Sequence, residues 1–205
     1  MEATAPERRR RSLTNMFRRL AFCRQSWYQH RMTWDMRARL FSLSVGAVAM
    51  LGAAAAKADD LGNFGAWYAF TQGEGADKLC YMIAAPIQSL GQIPNRGEVG
   101  LIVTHQMGGK VRDQVSVALG FEPHKTRYTK AKVDKTGNVL LRLVDGDRVW
   151  IREASVDRQL VARMKKGDHL VVTGMSSDGV ASQDTFPLDG FSNAYAAISA
   201  ACGLK

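Results

Sequence analysis

The chain has 205 residues, of which 46% are hydrophobic and 23% are charged. This composition is typical of a globular domain, and it excludes a wholly disordered chain, a collagen-like repeat and a multi-pass membrane protein. The formal net charge of +9 would indicate a nucleic-acid or anionic-membrane partner if the positive charge were spread along the whole chain.

The positive charge is concentrated in the first 58 residues. They hold 11 of the 28 Lys and Arg residues but only three of the 19 acidic ones, which leaves 17 cations and 16 anions in the rest. Residues 40–56 are uncharged and mostly apolar, and Ala56-Lys57-Ala58 follows them. A basic segment, an apolar stretch and a small-x-small site, in that order, are typical of a secretory signal peptide. We therefore expect cleavage after Ala58 and a nearly neutral mature chain that does not bind nucleic acid.

The alternative to cleavage is a membrane anchor. A stretch of 17 residues lies at the short end of the range that spans a bilayer, and this one is rich in small residues, so cleavage is favoured. The basic region is also longer than export requires, and a translation start at Met32 or Met36 would give a leader of ordinary proportions. Residues 59–205 are then expected to be periplasmic or secreted, with no transmembrane segment.

Three cysteines occur, at Cys23, Cys80 and Cys202. Removal of the leader takes Cys23 away and leaves an even pair. In an oxidising compartment two cysteines of a small exported domain most simply form one disulfide, so we expect a Cys80 to Cys202 bond. A buried pair of free thiols and an intermolecular bridge are the alternatives.

Residues 59–205 contain no internal repeat or linker and are expected to form one domain. Short apolar runs separated by turn residues recur along them, which is typical of a mainly β protein. The clearest strand covers residues 115–121, where apolar and small residues alternate, and Asp145-Gly146 indicates a hairpin. Strands are predicted at residues 66–70, 79–84, 98–105, 115–121, 127–133, 139–144, 148–152, 169–175 and 181–188.

Two segments have helical spacing instead. In the first, Ser155 is the expected N-cap and Gly167 follows the last turn. The second segment covers residues 190–202 and ends at Cys202 on its apolar stripe. We therefore expect an antiparallel sandwich or partly closed barrel of about eight or nine strands, with two short helices of which the second is C-terminal.

The sequence carries no recognisable catalytic, cofactor or metal motif. There is no G-x-S-x-G nucleophile elbow, and Gly108-Gly109-Lys110 lacks the rest of a phosphate-binding loop. His105, His124 and His169 are scattered without metal-ligand spacing. Catalytic residues, cofactors and metals are therefore not expected.

One candidate binding patch stands out. On strand 148–152, Arg148, Trp150 and Arg152 share the outward face, and arginine beside tryptophan is enriched at interaction sites. Lys130 and Lys132 belong to a second basic run. Together these residues predict a patch for an acidic partner or an envelope component. The alternatives are a Trp packed on its neighbouring strand, and lysines that only protect a solvated sheet edge.

Several motifs resemble those of the invasion-associated locus B family. They are Phe64-Gly65-Ala66-Trp67, Cys80-Tyr81, Arg96-Gly97, Gly120-Phe121, and the run from Asp184 to Ala194 before the terminal cysteine. The resemblance extends over about residues 61–202, with Pro187 as a departure. It implies a small exported protein of a Gram-negative bacterium with a predominantly β fold, in a family linked to entry into host cells. It implies no catalytic residues.

We therefore expect an exported, non-enzymatic protein that binds an unidentified component of the envelope or of a host surface and contributes to host-cell invasion. Two alternatives remain open. One is a periplasmic enzyme without a recognisable motif, which a deep pocket lined by His105 or His169 with an acidic neighbour would favour. The other is a periplasmic inhibitor or assembly factor.

Overall fold

The computed structural model describes residues 58–109 and 111–204. The leader predicted for residues 1–58, with its alternative starts at Met32 and Met36, lies outside these residues apart from Ala58, where the first strand begins. The strands are β1 (Ala58–Phe64), β2 (Trp67–Gln72), β3 (Leu79–Ala84), β4 (Gln88–Leu90), β5 (Gly100–Gln106), β6 (Gln114–Ala118), β7 (Thr129–Val133), β8 (Val139–Leu141), β9 (Leu143–Asp145), β10 (Arg148–Trp150), β11 (His169–Met175) and β12 (Ala181–Pro187), and the helices are α1 (Ala154–Met164) and α2 (Phe191–Ala201).

The strands form two antiparallel sheets. The seven-stranded sheet has the order β1-β2-β3-β5-β6-β10-β9, and the five-stranded sheet has the order β4-β12-β11-β7-β8. The predicted mainly β sandwich with two helices, the second C-terminal, is confirmed, and it is not a closed barrel. The described residues hold 12 strands rather than about nine, because β1 and β4 were not predicted and residues 139–144 form two strands.

The chain changes sheets at Arg142. Residues 139–144, predicted as one strand, are divided between β8 in the five-stranded sheet and β9 in the seven-stranded one. The N–H of Arg142 donates to the carbonyl of Trp150 at 2.8 Å, which fixes this crossing. The predicted hairpin at Asp145-Gly146 is present, with β9 paired to β10.

Side chains alternate between the core and the outside along most of the five-stranded sheet. On β7, Thr129, Ala131 and Val133 are buried while Lys130 and Lys132 are exposed. This period of two follows from the pleat of a strand. The inward side chains of both sheets meet in a single core cluster.

Helix α1 begins earlier than the sequence predicts. Its N-cap is Glu153 rather than Ser155, because the N–H groups of Val156 and Asp157 both donate to the Glu153 carbonyl. Ser155 therefore lies within the first turn, and its prediction as the N-cap is wrong. The apolar side of this helix joins the core through Leu160, Val161 and Met164.

Helix α2, at the C-terminal end of the chain, packs against the seven-stranded sheet. Phe191 packs edge-on against Trp67, with ring centroids 5.0 Å apart. Cys202 then forms a disulfide with Cys80 of β3, and their Cα atoms are 5.9 Å apart. Each helix has 11 residues, and neither is long and apolar enough to cross a membrane.

Candidate functional site

Three of the motifs that carry the family resemblance, those of Arg96-Gly97, Gly120-Phe121 and Asp184, meet at one end of the sandwich. Arg96, in the loop before β5, forms an ion pair with Asp184 of β12, with Nη2 and Oδ2 2.6 Å apart. The Arg96 Nε–H donates to the Leu119 carbonyl at 3.0 Å, and its guanidinium lies 5.2 Å from the centre of the Phe121 ring. Asp184 is completely buried, so this pair neutralises a charge inside the protein.

Two of the same motifs also touch through their backbones. The N–H of Gly97 donates to the carbonyl of Gly120 at 2.7 Å. Gly120 has a φ of 71°, and a Cβ added there would lie only 2.5 Å from the Gly97 oxygen. A side chain is therefore excluded at Gly120 both by backbone conformation and by space. These motif residues therefore connect the two sheets at this end of the sandwich.

A second polar cluster lies beside the disulfide. His105 pairs across β3 and β5 with Cys80, and it is completely buried. Its Nδ1 accepts a hydrogen bond from the Asp113 N–H at 3.0 Å, and its Nε2 lies 3.3 Å from Ser199 Oγ. Burial lowers the pKa of His105 to about 4, so the imidazole is neutral at pH 7. The hydroxyl of Tyr195 donates to Asp113 Oδ1 at 2.5 Å.

The hydrogen bond between His105 and Ser199 runs in the opposite direction to that of a catalytic Ser-His pair. A backbone N–H can only donate, so Nδ1 of His105 carries no proton, and the proton of the neutral ring is on Nε2. That N–H donates to Ser199 Oγ, whereas a general base must accept the serine proton at this nitrogen. Asp113 also directs its carboxylate to Tyr195 rather than to the imidazole. The cluster therefore holds helix α2 against β5.

Another buried acidic residue, Asp157, lies beside this cluster. It lies on α1, and its Oδ1 accepts the N–H of Val115 at 2.9 Å, which joins the helix to β6. Burial, with a smaller contribution from the nearby Asp113, raises the pKa of Asp157 to about 7 despite that hydrogen bond. Lys165 lies over the ring of Tyr195, with Nζ 3.5 Å from its centre.

The other two histidines among the described residues are placed away from this cluster. His124 is half-buried in a loop, where its Nδ1 accepts the N–H of Thr126 at 3.3 Å. His169 is exposed at the start of β11. Across residues 58–109 and 111–204, no three His, Cys, Asp or Glu side chains are grouped so that they could hold a metal ion.

The structure separates the residues of the predicted binding patch. Arg148 and Trp150 lie together on the outer face of the seven-stranded sheet, with the guanidinium 5.9 Å from the ring centre. Arg148 is only 9% exposed, Trp150 is half-buried, and Arg152 is exposed just beyond the strand. Lys130 and Lys132 are exposed on β7, which belongs to the other sheet.

A family model matches residues 67–199, under the description Invasion associated locus B (IalB) protein. This chain belongs to the IalB family. The match covers 133 of the 205 residues and includes both polar clusters and the disulfide-bonded strand β3. No curated protein and no solved structure matches the chain.

Sequence reasoning missed several buried polar residues of this IalB protein. Arg96 and Asp184 were noticed as parts of motifs, but no local pattern indicates that they form a pair. Asp113 and Tyr195 are joined only in the folded chain, since 82 positions separate them. Asp157 lies in the first turn of α1, where an acidic residue is favourable in any case, and its burial depends on β6. A polar residue on an otherwise apolar helix stripe is the one signal that would have indicated it.

Proposed function

We propose that this IalB protein is exported and acts by binding an envelope or host-surface component rather than by catalysis. Membership of a family described as invasion-associated carries the proposal. The disulfide supports an oxidising compartment, because such bonds persist mainly outside the cytosol. The basic leader, followed by an apolar stretch and Ala56-Lys57-Ala58, supports export by the signal-peptide route.

The basic side chains supply the binding surface in this proposal. Lys130 and Lys132 project together from the outer face of β7, whereas Arg152 is exposed beyond β10 of the other sheet and lies apart from them. Clustered positive charge attracts acidic partners and raises the rate of association. An acidic component of the envelope or of a host surface therefore fits this protein better than a neutral one.

Export is tested by the intact mass of the protein in a periplasmic extract, before and after reduction and thiol labelling. We expect a chain that begins at Asp59, with two thiols that react only after reduction. A chain that keeps its leader and has free thiols would contradict the proposal and return the membrane-anchored and nucleic-acid-binding interpretations.

Binding is tested with the fluorescently labelled exported form, incubated with outer membranes of the source bacterium and with host cells. Lys130→Glu/Lys132→Glu is expected to reduce binding about tenfold or more, in a salt-dependent manner. The control is Arg158→Glu/Lys166→Glu, the same charge change at exposed positions on and just after α1. Equal binding of both double variants and the unaltered protein would refute the basic patch.

Two other functions were expected as alternatives from the sequence. A periplasmic enzyme draws support from His105, which has an acidic neighbour and a shifted pKa. The proton on its Nε2 argues against a serine hydrolase, and a fluorophosphonate that labels Ser199 would overturn that conclusion. Stoichiometric co-purification with one periplasmic protein would instead support an inhibitor or assembly factor.

A further inference from the structure

The positive charge of the folded domain is concentrated in one hairpin. This basic hairpin, residues 125–142, contains β7 and β8 and holds six Lys and Arg residues against one acidic residue. The other residues of the segment 59–205 hold 11 cations and 15 anions. A nearly neutral chain therefore presents a hairpin of net charge +5 beside a remainder of net charge −4.

The cations of the basic hairpin are not neutralised by carboxylates nearby. Lys130, Lys132 and Arg142 are exposed, and in the described part of the chain they form no ion pair. The one acidic residue of the hairpin, Asp134, directs its two carboxylate oxygens to the N–H groups of residues 168–169, each at 3.0 Å. That carboxylate is therefore engaged with the backbone at the start of β11, and the positive charge of the hairpin faces the solvent.

Exposed apolar side chains lie beside these cations. The chain passes from β8 to β9 at Arg142, and Leu143 and Val144 directly after it are 41% and 54% exposed. Tyr128, just before β7, is 50% exposed, and the Arg142 guanidinium lies 5.2 Å from the centre of its ring. Five large hydrophobic side chains are exposed among the described residues, so three of the five lie in or directly beside the basic hairpin.

This combination of charge and apolar surface matches an anionic membrane. Lipid phosphates attract Lys and Arg, and the acyl chains directly beneath them accept aliphatic side chains. Tyrosine is enriched at the same interface, because its ring is apolar and its hydroxyl is polar. An acidic polysaccharide offers the charge alone and would leave Leu143 and Val144 in water.

The kind of cation argues against a protein partner. Four of the six cations of the basic hairpin are lysines, which are strongly hydrated point charges on flexible stems. Protein interfaces are enriched in arginine and depleted in lysine, because the guanidinium group pairs with a fixed carboxylate through two hydrogen bonds. Flexible lysines instead suit a fluid array of lipid headgroups.

We propose that the basic hairpin, with the adjoining Leu143 and Val144, binds the surface of an anionic phospholipid membrane. This deepens the proposed function by naming the class of component that is bound, and it rests on export. The Lys and Arg side chains reach the headgroup phosphates, while Tyr128 and the two aliphatic side chains enter the boundary between headgroups and acyl chains.

The test is sedimentation of the exported form with two kinds of vesicle. One is made of phosphatidylcholine alone, and the other of phosphatidylcholine and phosphatidylglycerol at three to one. We expect binding to the anionic vesicles to be about tenfold stronger or more, because each cation near a charged surface adds to the attraction. Added salt should reduce this binding, since it screens the attraction. Soluble dextran sulfate is the comparison that has negative charge but no acyl chains.

The first pair of variants tests the charge. Lys130→Glu/Lys132→Glu is expected to weaken binding to the anionic vesicles about tenfold or more. Its control is Lys78→Glu/Arg158→Glu, which makes the same change of charge at positions outside the basic hairpin and should bind like the unaltered protein.

The second pair tests the apolar contact. Leu143→Ser/Val144→Ser is expected to weaken vesicle binding about threefold or more, because two aliphatic side chains no longer enter the acyl boundary. Its control is Ile87→Ser/Leu90→Ser, at and just before β4, where the two side chains are 59% and 48% exposed. Strand β4 lies at the opposite edge of the five-stranded sheet from β8, so this control should leave binding unchanged.

Three results would overturn the inference. They are equal binding of both kinds of vesicle, equal vesicle binding by either variant and its control, and binding of dextran sulfate without binding of vesicles. If Lys130→Glu/Lys132→Glu lowers binding to outer membranes or host cells while no form of the protein binds phospholipid vesicles, this inference fails and the proposed function stands. A protein that is not exported would end both.

Discussion

Removing Arg96 tests whether the Arg96 to Asp184 pair holds the sandwich together. The substitution Arg96→Gln removes the 2.6 Å contact with Asp184 and the positive charge above the Phe121 ring, while Asp184 remains completely buried. A buried charge that loses its partner costs about 3–5 kcal/mol, and loss of the bond to the Leu119 carbonyl adds about 1 kcal/mol. We therefore expect the free energy of unfolding to fall by about 5 kcal/mol.

The assay is urea unfolding at pH 7 with the disulfide intact, followed by fluorescence and circular dichroism. The midpoint should fall while the m-value stays unchanged, as expected when the native state alone is affected. Arg96→Leu/Asp184→Leu should recover most of the loss, because it leaves no charge buried. The control is Arg112→Gln, which removes a half-exposed guanidinium 3.8 Å from Asp113 and should cost at most about 1 kcal/mol. A loss below about 1 kcal/mol for Arg96→Gln would refute the reasoning.

Three further predictions concern stability. Reduction of the disulfide, which joins positions 122 residues apart, should lower the free energy of unfolding by about 5 kcal/mol on the chain-entropy model, and equal urea midpoints with and without reductant would contradict this. Burial lowers the pKa of His105 to about 4, so at this residue the folded state binds fewer protons than the unfolded state between about pH 4 and 6.5. The pKa of Asp157 is raised to about 7, so at that residue the folded state binds more protons between about pH 4 and 7. Asp157→Asn should therefore leave a stability that falls steadily as the pH is lowered from 6.5 to 4, at up to about 1.4 kcal/mol per pH unit, and a flat series of midpoints would contradict it. Gly120→Ala should cost more than the control Gly108→Ala, since both have positive φ but only the first Cβ would meet backbone, and thermal melting of the two variants decides this.

Local patterns predicted most of the elements. The alternation at residues 115–121 placed its apolar residues correctly inside, and helical spacing identified both helices. The start of α1 was missed because Ser155 is a good N-cap by composition, whereas the hydrogen bonds of the Glu153 carbonyl decide where the helix begins. The division of residues 139–144 into two strands was missed because an apolar run carries no sign of the sheet that each half joins.

The sequence by itself determined which segments have the two-residue period of strands or the 3.6-residue period of helices. It also determined the position of the charge, the even cysteine pair and the motifs of the family. Each of these features depends on residues that are close together in the chain or on a simple count. The tertiary structure alone decided which distant residues meet. Arg96 and Asp184 are 88 positions apart, and they become partners only through the order of the strands. The basic residues Arg148 and Lys130 were grouped by sequence, but the two sheets separate them. Strand order and register result from how all the apolar faces are buried together, and no short segment of sequence specifies that.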